Sequence, residues 1–356
     1  MHTMYWNRSF TDLIRNGRAA YWGNWTLDQK LKVGSVGFVS PDNGDFTLVQ
    51  EQAPGLTIST RNAPNQWKLS SSNVKRTQSS VTLDGSATDP ETGTKITAGT
   101  EVKWDFASTG SIASEFGIAS ESYLADLTVL TQPQTLQWLK DQAARVSMAS
   151  STGIAQGFGV VTSVIYATSG LNVGSQDDSS SFSVTGSVGG VQDLLASADA
   201  KGSYVSTNQT KSVDQHLWPD KASTLASQPI PIAYTFASFD GELLIPNWIT
   251  RLGGLQILFN NKPGCTYITD ITLDYDTPTG KQHQSFSLSG GLSKTVGNIP
   301  LNATNITAQV KFKGVLNSDS YSFSWPSPLG QWLTGSREIQ MTGVWPGKTS
   351  AQDLQH

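Results

Sequence analysis

The chain has 356 residues, of which 37% are hydrophobic and 15% charged, and its formal net charge is −4. That length is enough for two buried cores, and the composition excludes a highly charged disordered chain. The weakly acidic balance gives no electrostatic case for a nucleic-acid partner. Low usage of the residues that build helices points to a β-rich protein.

A single cysteine, Cys265, rules out an intrachain disulfide. The opening MHTMYWNRSF has no apolar core of a secretory signal, so a soluble chain is expected, cytoplasmic or released by a non-classical route. No run reaches the length of a transmembrane helix. Entry into a bilayer therefore requires a closed β-barrel.

In chain order, residues 9–20 read as a short helix, capped by Ser9 or Thr11 and ended by Gly17. Aromatic residues then interleave with basic ones. Residues 1–32 hold five basic side chains against two acidic ones. Arg8, Arg15, Arg18, Lys30 and Lys32 with Tyr21, Trp22 and Trp25 form a candidate lipid-binding stretch, joining positive charge to rings suited to an interface. A solvated helix beside buried tryptophans is the equal alternative.

FTLVQ (46–50) and LTIST (56–60) read as short strands split by Pro54-Gly55. Residues 68–115 read as a long hairpin turning at DPETGTK (89–95). In its return strand Val102, Trp104 and Phe106 share one face, and Glu101, Lys103 and Asp105 the other. Residues 131–149 form the strongest helix signal, with Leu136, Leu139, Ala143 and Val146 at helical spacing and Pro133 in the first turn.

Residues 157–176 carry no charge and include Phe158, Val160 and Val164. After Asp177-Asp178, Phe182, Val184, Gly186 and Val188 alternate with Ser181, Ser183, Thr185 and Ser187. The expectation is a second hairpin over 157–191. A third amphipathic segment spans 201–213, and 228–245 reads as a closing strand pair around Asp240-Gly241. Segments 76–87, 100–112, 157–168 and 179–191 have the length of membrane-crossing strands. Beyond Pro246-Asn247, short strands at regular spacing read as a β-sandwich.

Catalytic chemistry finds no anchor. The four histidines, His2, His216, His283 and His356, lack metal-ligand spacing, and there is no phosphate-binding loop or nucleophile elbow. Cys265 reads as a small buried hydrophobe. Asp270, Asp274 and Asp276 share a strand face, better explained as solvated than as a calcium site. No enzyme activity, metal or cofactor is expected.

The order of these segments resembles the pore-forming domain of the gasdermin family over about residues 1–245. LDQKLKVGSVGFV (27–39) is similar to the early family strand, and 124–146 to its central helix. GFGVVTSVIYATSG (157–170) is similar to the strand before the second hairpin, and IAYTFASFDGELLI (232–245) to the closing segment. The resemblance implies that Arg8, Arg15, Arg18, Lys30 and Lys32 engage acidic lipids. It also implies that 76–112 and 157–191 unfurl into an oligomeric barrel. The chain departs from the family in its β-rich C-terminus and in lacking a cysteine near its start.

The expectation is thus a β-rich α+β protein: a mixed or antiparallel twisted sheet with long hairpins over 1–245, and an antiparallel β-sandwich over 246–356. Its expected function is membrane binding, self-oligomerisation and pore formation, with Val102, Trp104, Phe106, Phe158, Val160, Val164, Phe182, Val184 and Val188 facing lipid. The alternative is a glycan- or receptor-binding sandwich using Trp325, Trp332 or Trp345.

Overall fold

The computed structural model describes residues 4–198, 202–222, 228–314 and 319–355. The sequence expectations for His2, Lys201 and His356 fall outside this set. The chain divides into two compact units, Met1–Leu244 and Ile245–His356. It is β-rich with few helices, as expected from composition.

The first unit begins with α1 (Trp6–Arg15), followed by β1 (Trp22–Gly23), β2 (Val36–Val39), β3 (Phe46–Gln50), β4 (Ile58–Ser70) and β5 (Val74–Thr82). Then come β6 (Ala98–Phe106), β7 (Ile112–Leu124), α2 (Pro133–Arg145), the short pair β8 (Ala149–Ser150) and β9 (Gly153–Ile154), and β10 (Phe158–Ser175). β11 (Ser180–Gly186), α3 (Val188–Ala196), β12 (Ser206–Thr210), β13 (Val213–Trp218), β14 (Ile230–Asp240) and β15 (Leu243–Ile245) complete the series.

The helix expected over 131–149 is α2, with Pro133 in its first turn and Leu139 and Ala143 buried. The first helix starts earlier than expected, and neither Ser9 nor Thr11 caps it. Thr11 is buried, and its hydroxyl accepts the Gly23 backbone N–H at 2.9 Å. That bond fastens the helix to β1, so tertiary contact sets the helix position.

β10 organises the larger sheet. Its first half pairs with β14 and β2, and its second half lies between β7 and β13. β4 pairs with the far side of β7. Over this stretch the strand order is β4-β7-β10-β13, hereafter the base sheet. A separate four-stranded sheet has the order β5-β6-β11-β12.

These two orders correspond strand for strand. β4 runs into β5, β6 into β7, β10 into β11 and β12 into β13, so one four-stranded sheet has folded back over itself. The inward face of the folded-over layer supplies Val102, Trp104, Phe106, Phe182 and Val184 to a core shared with Ala113, Leu171 and Val173 below. α3 closes this core with Val191, Leu194 and Leu195. Gly117 admits the end of α3, since a Cβ there would lie 1.8 Å from the Ser197 carbonyl oxygen.

The first hairpin is present as β5–β6, with Thr88 bridging Lys95 at its tip. The hairpin expected over 157–191 is not formed. β10 pairs with β13 and β11 with β12, because Asp177-Asp178 marks the fold of the sheet and not a hairpin turn. β11 ends at Gly186, and Val188 is an exposed residue opening α3. Ser187 caps that helix by accepting the Gly190 N–H at 3.0 Å.

The second unit pairs β16 (Leu255–Asn261), β17 (Thr269–Thr277), β18 (Gly280–Leu288), β19 (Ser293–Ile299), β20 (Thr304–Phe312) and β21 (Ser320–Trp325). After the short α4 (Pro328–Gln331) come β22 (Ser336–Gly343) and β23 (Thr349–Gln355). Two sheets, β19-β16-β22-β23 and β18-β17-β20-β21, alternate buried and exposed residues as a sandwich requires. The expectation of a wholly antiparallel sandwich needs one correction: β16 and β22 are parallel, because their connection crosses through the opposite sheet.

Candidate functional site

The basic-aromatic stretch of the first unit is largely committed to internal contacts. Trp22 and Trp25 are buried, so they do not present rings to an interface in this conformation. Trp25 stacks on Trp6 at 5.7 Å and donates its indole N–H to Asp214 at 2.5 Å. Arg15 lies 4.2 Å over the Trp22 ring and donates to the Tyr21 carbonyl, and burial lowers its pKa to about 10.

Tyr21 donates to Glu121 at 2.5 Å, and burial pushes the phenol up to about 12. Arg18 sits 5.8 Å over both Tyr21 and Trp67. Arg8 pairs with Asp12 and with the Pro41 carbonyl, and Lys32 pairs with Glu51 at 3.2 Å. Lys30 is exposed. The eight candidates are therefore not one surface: Lys30, Lys32 and Arg8 reach solvent, and the tryptophans belong to the core.

The expected lipid-facing residues separate as well. Phe158, Val160 and Val164 are buried in the larger sheet away from the fold, Val160 and Val164 between strands on both sides and Phe158 beside β2. Val102, Trp104, Phe106, Phe182 and Val184 are all buried between the two layers. A charged residue at Val184 is therefore expected to disrupt this core.

Polar contacts hold the layers closed. Glu115 of β7 points into the shared core. Its Oε1 accepts from Arg76 Nε of β5 at 2.7 Å and from Trp104 Nε1 of β6 at 3.0 Å. Its Oε2 is buried without a hydrogen-bond partner among the described residues. At the fold itself, Asp178 accepts from the backbone N–H and hydroxyl of Thr109 at 2.8 and 2.9 Å. These bonds, with help from Lys211, hold the Asp178 carboxyl below its usual range. Asp177 accepts the Ser212 N–H at 3.1 Å. Sequence reading singled out none of these ties, because each joins residues brought together only by the fold-back.

The outer strands expose their far edges. β4 and β5 on one side, and β12 and β13 on the other, have no further strand partner among the described residues.

In the second unit, Trp325 and Trp332 are core residues. Trp325 donates to Asp353 at 3.1 Å and meets Trp332 edge to face. Neither is available for stacking on a sugar ring. Trp345 is 54% exposed, beside Val344 at 61%. Its loop is tied to the β16–β17 loop by Thr266 N–H to the Gly343 carbonyl at 3.0 Å. Exposed Ile268 and Leu292 lie in the adjacent loops of the same end. Sequence reading found Trp345 and missed its aliphatic neighbours.

Cys265 is buried. Asp270, Asp274 and Asp276 each take a separate partner, Lys313 at 2.9 Å, His283 at 2.7 Å and Asn305 at 2.9 Å. No metal-binding group of three is found among the described residues. Nor is any helix among them long and apolar enough to cross a membrane.

No family model and no curated protein matches the chain, gasdermins included. Matches to solved structures include a crystal structure of a Gram-negative toxin, with 11% identity, TM-score 0.24, and coverage of 94% of this chain and 88% of that one. The human-specific toxin intermedilysin aligns at 10% identity and TM-score 0.23, over 94% and 87%. A bacterial adhesin from Mobiluncus mulieris aligns at 11% identity and TM-score 0.14, over 80% and 94%. Superpositions this loose do not establish a shared fold.

Proposed function

We propose that the protein permeabilises membranes by unfolding its doubled-over sheet into a β-barrel assembled from several copies. One observation carries this reading: two adjacent hairpins, β4–β5 with β6–β7 and β10–β11 with β12–β13, are already paired side by side in both layers. Opening the fold lengthens four strands together without exchanging neighbours in the inner pair. Each arm of the first hairpin, from Ile58 to Thr82 and from Ala98 to Leu124, then exceeds the roughly 10 residues a bilayer strand needs.

Closure between copies satisfies backbone groups that lipid cannot, and the free edges of β4–β5 and β12–β13 are the surfaces available for it. The partners are lipids and further copies of the chain, and no covalent chemistry is involved. Membrane attachment is assigned to the tip of the second unit, where Trp345, Val344, Leu292 and Ile268 are exposed and Lys262 and Lys348 lie in the same loops. Exposed rings and aliphatics beside lysines suit an anionic lipid interface.

Dye release from vesicles of phosphatidylcholine with and without phosphatidylserine tests the reading. Release by the folded full chain, stronger with phosphatidylserine, is expected. Intact vesicles at saturating protein overturn it. Glycan-array binding without release then favours a recognition module, with Trp345 as its exposed aromatic.

A further inference from the structure

The two layers differ in register, and the difference has an odd value. At the end of the base sheet Ser70 faces Ala113. Past the fold Val74 faces Phe106. The outer arm has advanced four residues and the inner arm seven, a slip of three. The second hairpin does the same. Ser175 faces Val213 in the base sheet, and Ser181 faces Thr210 beyond the fold. Here the inner arm advances six residues and the outer arm three.

The inner strands do not slip against each other. Ala113 faces Val173 below the fold, and Val102 faces Val184 above it, eleven residues along each chain segment. The slip therefore belongs to the outer strands β5 and β12 alone. A slip by an odd number puts opposite faces of a strand together. In the folded-over layer Arg76, Gln78 and Ser80 consequently share a face with Trp104, Val102 and Thr100. Thr207 and Gln209 likewise share a face with Val184 and Phe182. This half-polar face is unfit for hydrocarbon. It is tolerated here because β5 and β12 are edge strands open to water.

The hairpin tip already stands in the other register. Thr88 faces Lys95, eighteen residues from Ser70 and eighteen from Ala113, so only the middle of the hairpin is displaced.

Resting on the membrane-permeabilising reading, we infer that opening the sheet returns β5 and β12 to the base-sheet register and thereby creates its lipid-facing surface. Counting on from Ser70–Ala113, Val81 comes opposite Val102 and Ser79 opposite Trp104. Counting on from Ser175–Val213, Tyr204 comes opposite Val184 and Ser206 opposite Phe182. Between Thr77 and Val81 the surface shared with Val102, Trp104, Phe182, Val184 and Tyr204 carries no charge, and Lys75 on the same face marks its end. Arg76, Glu101, Lys103 and Asp105 collect on the opposite, water-lined face. The slip thus disguises an amphipathic sheet as a soluble one. The partner of the new surface is the hydrocarbon of a bilayer.

The test uses exposed or half-buried positions of the outer strands, so that the soluble fold is retained. Val81→Arg and Ser206→Arg place a charge on the inferred lipid face, which is costly near the bilayer midplane. Gln78→Arg and Thr207→Arg place it on the inferred lumen face, although both positions now lie on the face of Val102 and Val184. Circular dichroism first confirms that all four variants are folded. Dye release is expected to fall at least tenfold for Val81→Arg and Ser206→Arg, and to stay within twofold of the parent for the other pair. The reverse order overturns the inference, because it shows that the present register is carried into the membrane. Parent-like release from all four also overturns it, while leaving permeabilisation by another segment standing. Absence of release from the parent chain overturns the functional reading and this inference together.

Discussion

The base sheet and the layer folded over it have the same strand order but different construction. In the base sheet β7 and β10 are buried on both faces, with Phe116 and Ile118 against α1 and Ala113, Leu171 and Val173 against the upper layer. In the upper layer β6 and β11 carry apolar side chains on one face only, with the buried Ser181 and Ser183 and the half-buried Glu101, Lys103 and Asp105 on the other, and the outer strands β5 and β12 are largely exposed. The comparison teaches that one continuous sheet can hold a part that anchors and a part that is free to leave. The distinction is made by how many faces bury apolar side chains. Hydrophobic burial scales with covered apolar area, so removing the upper layer costs far less than opening the base.

The largest expected effect lies in the base. Phe116→Ala removes a ring buried from all sides and is expected to cost about 3–5 kcal/mol, read as a lowered denaturant midpoint for the whole first unit. A loss confined to the upper layer contradicts the comparison.

Arg76→Met comes next. It strips the partner from a carboxylate that is 2% exposed, and breaking such a buried pair costs about 3 kcal/mol. Hydrogen exchange is expected to rise selectively in β5 and β6, with β14 unchanged. Combining Arg76→Met with Glu115→Gln removes both charges, keeps an acceptor for the Trp104 indole N–H, and is expected to restore most of the protection. Opening the sheet also ends this pair. Glu115 is opposite Lys68 in the base register, and Arg76 lies eight residues further, about 27 Å away along a straight strand.

Acidification has a smaller effect, concentrated at the fold. Because the folded state holds the Asp178 carboxyl below its usual range, its contribution is present above the unfolded pKa and is lost as pH falls through the folded one. Exchange at Thr109 and its neighbours is expected to quicken on going below about pH 4. Asp178→Asn abolishes that component. An identical pH response in the Asn variant argues against Asp178 as a tie at the fold.

The smallest effect belongs to the outward face of the upper layer. Lys103 and Asp105 form an ion pair at 2.9 Å with both side chains about two-fifths exposed. Lys103→Ala is expected to shift stability by about 0.5 kcal/mol or less. A larger loss contradicts the picture of an outward β6 face open to solvent.

Local pattern made much of this legible. Alternation marked Val102, Trp104 and Phe106 as one face of a strand, and helical spacing with Pro133 marked α2. A polar turn at 89–95 marked the first hairpin. Those signals are written within a few residues of one another. The candidate site was legible only as a set of strands. The alternation of 181–188 was correctly read as amphipathic, but its apolar face turned out to be core, and its last member opened a helix. Trp22, Trp25, Trp325 and Trp332 carried the composition of an interface and the burial of a core, which a single sequence does not distinguish.

What the amino-acid sequence determined by itself is therefore the strands and their faces. The tertiary structure decided which strands are neighbours, that β10 and β11 belong to different layers, and that Glu115 meets Arg76 and Trp104. The physical reason is that the period of a strand is two everywhere along the chain. The pattern records which side is apolar, but not the register, and an odd slip at a fold reverses which sides come together.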